Sequence, residues 1–457
     1  MLRTAYGLQG AWIPLVAEYD VNLRIETEQG EFLLKVLRAG GEAGFAEMQI
    51  AALEHLQAHA PELVFQRVVR TKSGAAHTSF RDASGNDRVC WLTTFLPGRL
   101  LAEVRPHDAA VRRKLGALLA RANRALADFS HPWLARELEW DLRRASWIVP
   151  HLDAIARDDQ RELVRTLIDR YRGQWLPRLT AARTSAIHGD ANDHNLLLRG
   201  TPDAPSLALL DFGDLHRSAL VGELAIAATY AMMTAEAPLA ALAELTAAYH
   251  EHLPLLDEEF ALVLPLVLTR LCVSVTVSAR RRVLRPGDSY GTVHEDAAWQ
   301  LLTTLAAADL RAVEAKLRAA CGLEAWPIGA QVARYAASAT TSPVLGGTSA
   351  AGKRLTLDLS FASLLGGDDP ESFDPVESGV RIARELREAG ATVGIGRYGE
   401  PRPIYPGPAF GSERANGRRR TRHLGIDLFA PAGTSVHAPI AGEVVHVEDC
   451  QIGRAHV

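Results

Sequence analysis

The sequence predicts an α+β chain of two lobes, a β-rich one followed by a helical one, with a linker and a short last module behind them. Three observations predict this. Val21, Leu23 and Ile25 alternate with polar residues near the N-terminus, which is the period of a half-buried strand. Between Asp108 and Ala182, and again from Gly222 to Leu323, apolar residues recur at helical spacing, as at Leu115, Leu118, Leu119 and Ala122. Beyond Cys321 the chain turns to Ala, Ser, Thr and Gly (residues 336–353), a linker composition.

Taken in order, residues 21–37 read as a hairpin turning at Gln29-Gly30, with the return strand ending near Lys35. A helix over Glu42–Ala58 carries the stripe Phe45, Ile50, Leu53 and Leu56. Val64–Arg70 and Val89–Phe95 are strand candidates, and Leu96-Pro97-Gly98 then breaks the chain. The helices that follow are interrupted by a strand–loop–strand section, Ser185–Phe212. The expected divisions are 1–96 and 97–325 for the two lobes, 326–395 for a linker with one short helix, and 396–450 for the last module.

Bulk properties exclude several classes. The 457 residues carry a net charge of -4, 47% hydrophobic and 23% charged residues, as in a soluble globular protein. No concentrated basic surface supports nucleic-acid binding; the run Arg418–Arg420 with Arg422 reads as a solvated loop. Cys90, Cys272, Cys321 and Cys450 lie far apart without a CxxC pair, which fits a reducing compartment. The N-terminus has no secretory pattern, and the most apolar stretch, Ala261–Val277, is broken by Thr269 and Arg270 and is too short to span a bilayer. The expectation is a cytoplasmic protein without a membrane or nucleic-acid partner.

The chemistry concentrates in SAIHGDANDHNLLL followed by LALLDFGD. Phosphoryl transfer needs a carboxylate near the attacking hydroxyl and hard oxygen ligands for magnesium. Asp190 sits in a tight loop after an apolar strand, Asn195 lies five residues later, and Asp211 ends the buried run Leu207–Leu210. The order matches a catalytic-loop aspartate, a metal-binding asparagine and a DFG aspartate. Gly189 stands where protein kinases carry an arginine; no GxGxxG loop precedes Lys35 and no APE segment follows Asp211.

With those motifs, residues 5–320 resemble the aminoglycoside phosphotransferase and choline kinase family, and so a two-lobed protein-kinase-like fold. AEYDVNLRI, EMQIAALEHL, FLPGRLLAEV and HPWLARELEWDL are similar to the hydroxylysine kinases within it. The resemblance implies roles: Asp190 as base toward the acceptor hydroxyl, His188 orienting the loop, Asn195 and Asp211 on magnesium, and Lys35 on the ATP phosphates, paired with Glu47. Gln49 is the competing neighbour of Glu47. Thr94 to Leu96 would form the hinge beside adenine. The implied acceptor is a small hydroxylated amine; Asp193, Asp214 and Glu223 are the carboxylates near enough in sequence to meet its ammonium. A nucleotide-binding scaffold without turnover is the competing reading of this lobe pair.

The segment HLGIDLFAPAGTSVHAPIAGEVVHV resembles the start of the lysostaphin-type zinc endopeptidases, which implies the start of a small all-β peptidase-like domain. His423 and Asp427 have the spacing of two zinc ligands, whereas His437 and His446 fall in the wrong places for a third. Two ligands do not make a catalytic zinc site, so a working peptidase is not expected; a remnant peptidase or cell-wall-binding module is the alternative for the tail. QIGRAHV, Gln451–Val457, reads as a translated sequencing adapter and is set aside from fold reasoning. The whole then resembles the front of a bacterial fusion of kinase, peptidase-like module and class III pyridoxal-phosphate aminotransferase.

Overall fold

The computed structural model describes residues 1–17, 20–105, 107–201, 204–284, 295–360, 362–363, 365, 375–402 and 422–443. Expectations for the basic run 418–420, His446, Cys450 and Gln451–Val457 lie outside these residues. Two compact units divide at Pro327: Met1–Pro327 and Ile328–Val457.

The first unit opens on a six-stranded sheet. Its strands are β1 (Gly10–Leu15), β2 (Val21–Thr27), β3 (Gly30–Val36), β4 (Val68–Val69), β5 (Thr78–Arg81) and β6 (Asp87–Thr94). They pair antiparallel in the order β1-β2-β3-β6-β4, with β5 on β6. The β2–β3 turn closes where Thr27 pairs with Gly30, whose φ of 130° suits glycine and strains other residues. β1 was not anticipated: all six of its residues are exposed and Pro14 interrupts its apolar run. The strand expected at 64–70 shrinks to Val68–Val69, with a single bridge from Val64 to Ala208. Alternation places Lys35, Leu33, Trp91 and Thr93 on one face, through the pairs Lys35–Trp91 and Leu33–Thr93. The helix Ala43–His59 supplies Ala46 and Ile50 to the cluster that buries Trp91.

The helical lobe starts at Asp108, which caps the helix Ala109–Ala125 by accepting from the Val111 amide at 2.8 Å. Val111, Leu115, Leu118, Leu119 and Ala122 face inward at the expected spacing. This helix packs on Pro238–His252 closely enough that a Cβ at Gly116 would lie 2.5 Å from the Leu245 carbonyl oxygen. The continuous helical pattern expected to Ala182 is broken. Leu142–Ala154 is a run of 3-10 helix containing Pro150, and Tyr171–Trp175 forms one π-helical turn. Asp257–Leu284 is the one described helix long and apolar enough to cross a membrane, but 83% of its apolar window is buried inside the protein.

The catalytic-loop section is built from short strands. β7 (Arg99–Leu100), β9 (Leu196–Thr201) and β10 (Ala204–Leu209) form one sheet; β8 (Thr184–Ile187) pairs with β11 (His216–Ala219) in another. The second unit differs from expectation. β12 (Arg354–Leu357) runs parallel to β13 (Val393–Gly396), which pairs antiparallel with β14 (Asp427–Phe429). With the helix Pro375–Glu388 they bury Leu357, Leu359 and Ile382. Within 326–395, β12, β13 and this helix contribute to one small core, whereas the helix Pro327–Ser338 buries none of its residues. Of the all-β module expected at 396–450, residues 396–402 and 422–443 are described, and they hold the end of β13 and β14.

Candidate active site

β8 delivers the chain to His188, and its pairing with β11 sets His216 opposite Ile187. Gly189 makes the turn with φ +80°, and a Cβ there would lie 2.7 Å from His216 Cε1 and 2.8 Å from the Asp214 carbonyl oxygen. A glycine therefore stands in this motif for both conformational and steric reasons. Buried Glu223 accepts from the His188 amide and, at 3.4 Å, from the Gly189 amide. Glu223 is thus a loop anchor and not an acceptor-site carboxylate. Asp193 is likewise committed: it is buried and pairs with Arg105 at 3.3 Å. Asp214 stays half-buried beside the cleft.

His188 Nε2 meets the Leu210 carbonyl at 2.8 Å, and its Nδ1 accepts from the Asp190 amide at 3.3 Å. One imidazole thereby ties the Asp190 loop to the strand that ends at Asp211. Asp190 Oδ2 accepts from Asn192 Nδ2 at 2.8 Å and Asn195 Nδ2 at 2.9 Å, while Oδ1 accepts from Arg270 Nη2 at 3.0 Å. Three donors fix the carboxylate, and one lone pair on Oδ1 is left for a further donor. Burial pushes the Asp190 carboxyl up to about 7; Arg270 opposes this, and Asp214 and Asp211 add to it.

Asp211 holds φ 56°, the sole left-handed non-glycine among the described residues. Such a backbone persists only where its surroundings over-determine it. Here Oδ1 accepts from Lys35 Nζ at 2.9 Å and from the Gly213 amide at 3.1 Å. Lys35 holds Asp211 below the usual carboxylate range against the opposing effect of burial. Asp211 still exposes 49% of its side chain, and Asn195, having turned its amide nitrogen to Asp190, leaves its carbonyl oxygen open. These two hard oxygens suit a magnesium ion.

The pairing expected between Lys35 and Glu47 is not made. Glu47 lies on the exposed side of its helix and meets His77 at 3.2 Å, whereas Lys35 Nζ reaches Gln49 Oε1 at 3.2 Å. The reason is helical phase: Gln49 shares the inward face with Met48 and Leu53, and Glu47 does not. Thr94 ends β6 with its hydroxyl accepting from the Arg67 amide at 2.9 Å; Phe95 donates to the Glu31 carbonyl at 3.0 Å, and Leu96 follows half-buried.

Sequence reasoning missed Arg270, Tyr230 and Asn192. Arg270 had a signal: a lone cation inside the apolar run Ala261–Val277 must find a partner once buried. It also missed Ile13, Leu15 and Leu33, which strand pairing places on the Lys35 face.

In the second unit His423 Nε2 lies 3.3 Å from Asp427 Oδ2. That same oxygen bonds the guanidinium of Arg402, which is itself buried and paired with Glu400 at 2.8 Å. A cation already holds Asp427, and His437 bonds Ser435 at 3.1 Å. These residues of the second unit do not fit a zinc centre.

A sheet-rich lobe, a helical lobe and a carboxylate loop facing a lysine define a protein of the two-lobed kinase class. A model of the phosphotransferase enzyme family matches residues 12–259, that is 248 of the 457 residues. The chain belongs to that family and is a small-molecule kinase. The hydroxylysine kinase of Danio rerio is 28% identical over 301 residues, covering 63% of this chain and 83% of the relative. That of Mus musculus is 26% identical over 339 residues, covering 69% and 89%. Among solved structures, amicoumacin kinase in complex with AMP-PNP, Ca2+ and Ami aligns with a TM-score of 0.52 at 13% identity, over 67% of this chain and 93% of that one. This last likeness concerns the fold alone.

Proposed function

We propose that the protein transfers the γ-phosphate of ATP to the hydroxyl of a small hydroxylated amine, of which hydroxylysine and ethanolamine are examples. The observation that carries this reading is Asp190, fixed by Arg270, Asn192 and Asn195 with one lone pair to spare. In this reading Asp190 receives the acceptor hydroxyl and its proton. Lys35 meets the phosphates, held by Asp211 and, from the helix, by Gln49 where Glu47 was expected. Asn195 and Asp211 would hold magnesium, which when bound neutralises charge on the phosphates. Leu33, Ile13 and Leu15 give the Lys35 face an apolar surface suited to adenine, with Thr94–Leu96 at its edge. His188 keeps the Asp190 and Asp211 segments in register. Asp214 is the carboxylate left to meet an acceptor ammonium.

The test is ATP consumption by the full chain with magnesium, with and without ethanolamine, choline, hydroxylysine, homoserine and an aminoglycoside. One of these compounds should stimulate turnover, and Asp190→Asn should abolish the stimulation while nucleotide binding persists. Retained turnover in Asp190→Asn would remove the residue from the chemistry. The rival scaffold reading draws support from the neutral partner of Lys35; nucleotide binding without stimulated turnover would favour it.

A further inference from the structure

Arg270 stands on the long buried helix Asp257–Leu284 with 1% of its surface exposed. A guanidinium carries five N–H donors. Both hydrogens of Nη2 are used, on Asp190 Oδ1 at 3.0 Å and the Tyr230 hydroxyl at 2.9 Å. Among the described residues no protein atom accepts from Nε or Nη1, and both are buried. Buried donors of a charged group are costly to leave unmatched, and such exceptions call for a cause. This one lies beside the carboxylate that faces the acceptor.

The surroundings say which ligand fits. The guanidinium lies 4.4 Å from the centroid of Trp140 and 5.6 Å from that of Tyr230. The aromatic faces that would hold a quaternary ammonium by cation–π attraction are therefore taken by the protein's own cation. What the spot offers is N–H donors carrying positive charge, the complement of a carboxylate. Trp140, Tyr230 and Asp190, which surround the guanidinium, are each partly exposed, so the wall between Arg270 and solvent is one side chain thick at these points.

We propose that Arg270 is a specificity-determining residue that reads a carboxylate on the acceptor, so that the substrate is a hydroxylated amino acid or hydroxy acid and not a simple amino alcohol or a choline-like cation. This rests on the kinase reading for its chemistry, while the recognition is separable from turnover. Arg270 thus faces two ways, holding Asp190 through Nη2 and receiving the acceptor through Nε and Nη1.

The experiment uses acceptor pairs that differ by one carboxylate: serine and ethanolamine, homoserine and 3-aminopropan-1-ol, hydroxylysine and 1,5-diaminopentan-2-ol. The full chain and its Arg270→Met and Arg270→Lys variants are assayed for kcat/KM, and binding of each compound is measured by calorimetry with ADP and magnesium. The carboxylate member of the accepted pair should be preferred by about 10- to 100-fold, the scale of a hydrogen bond to a charged group. Arg270→Met should bring that ratio near one, and Arg270→Lys should keep part of it. A ratio is the readout because loss of Asp190 positioning lowers both members alike. Equal or better use of the decarboxylated member overturns the inference and leaves the kinase standing. Carboxylate binding that depends on Arg270 without any turnover supports the inference while the kinase reading fails. Neither turnover nor Arg270-dependent binding of any carboxylate overturns it.

Discussion

Replacing Gly189 with alanine tests whether the loop that carries Asp190 is as constrained as its geometry demands. Two effects add. An alanine at φ +80° meets the left-handed penalty of about 1–2 kcal/mol. Its Cβ would also stand 2.7 Å from His216 Cε1 and 2.8 Å from the Asp214 carbonyl oxygen. His216 is 1% exposed and has no room to retreat, so overpacking adds about 1–3 kcal/mol. The sum is about 2–5 kcal/mol. With an unfolding entropy of about 2.1 cal/mol/K per residue over Met1–Pro327, each kcal/mol moves Tm by about 1.5 °C. Gly189→Ala should therefore lower Tm by about 3–7 °C. All eight tryptophans, Trp12 to Trp326, lie in this unit, so indole emission follows its unfolding alone. Gly74→Ala is the control: φ is +83° and nothing lies within 4 Å of its Cβ, so only the conformational penalty of about 1–2 kcal/mol applies. Equal Tm losses in the two variants would refute the crowding of Gly189 against His216.

Two other consequences are open to measurement. Gln49→Ala should raise KM for ATP by about 10-fold, as loss of a hydrogen bond to a charged group does, while Glu47→Ala should leave it within about 2-fold; the reverse order would restore the Lys35–Glu47 pair. Asp141 is buried, which alone would raise its pKa, yet His216, the Ser218 hydroxyl at 2.6 Å and the Arg143 amide at 3.0 Å hold it well below the carboxylate range. A depressed native pKa gives stability that is present above the unfolded value of about 3.9 and is lost as pH falls below it. Tm of the wild type should drop more steeply from pH 5 to about 3 than that of Asp141→Asn, and parallel slopes would sink the assignment.

The features legible in the sequence were those with a local signature. The β2–β3 hairpin, the helix after it and the spacing of Asp190, Asn195 and Asp211 each follow from periodicity or from a short motif. What escaped depends on contacts distant in sequence. β1 is exposed throughout and shows no alternation that a half-buried strand would need. Glu47 and Gln49 stand two residues apart, and only the phase of the folded helix decides which one turns inward to Lys35. Arg270 is 80 residues from Asp190 along the chain. The second unit was hidden for a different reason: its core draws on Leu357, Leu359 and Ile382, too few apolar residues to lift residues 326–395 above the composition of a linker.

The two carboxylates of the cleft are distinguished by their neighbours rather than by their chemistry. Both are aspartates, both meet a cation near 3 Å, and their pKa values move in opposite directions. For Asp190, burial outweighs Arg270, and the negative charges of Asp214 and Asp211 press the same way, so its carboxyl rises toward neutrality. For Asp211, Lys35 outweighs burial, and the carboxylate stays ionised. Environments that push a pair of acids apart are how a single cleft assigns proton transfer to one and charge binding to the other. The sequence motif names the two positions but gives no reason for their division of labour. That reason lies in which cation each keeps. Arg270 is anchored to Tyr230 and packed against Trp140, so Asp190 retains it throughout. Lys35 bonds Asp211 and the neutral Gln49 amide and lies 5.6 Å from the Trp91 ring; in the proposed reaction it would turn to the phosphates while a metal ion took its place on Asp211.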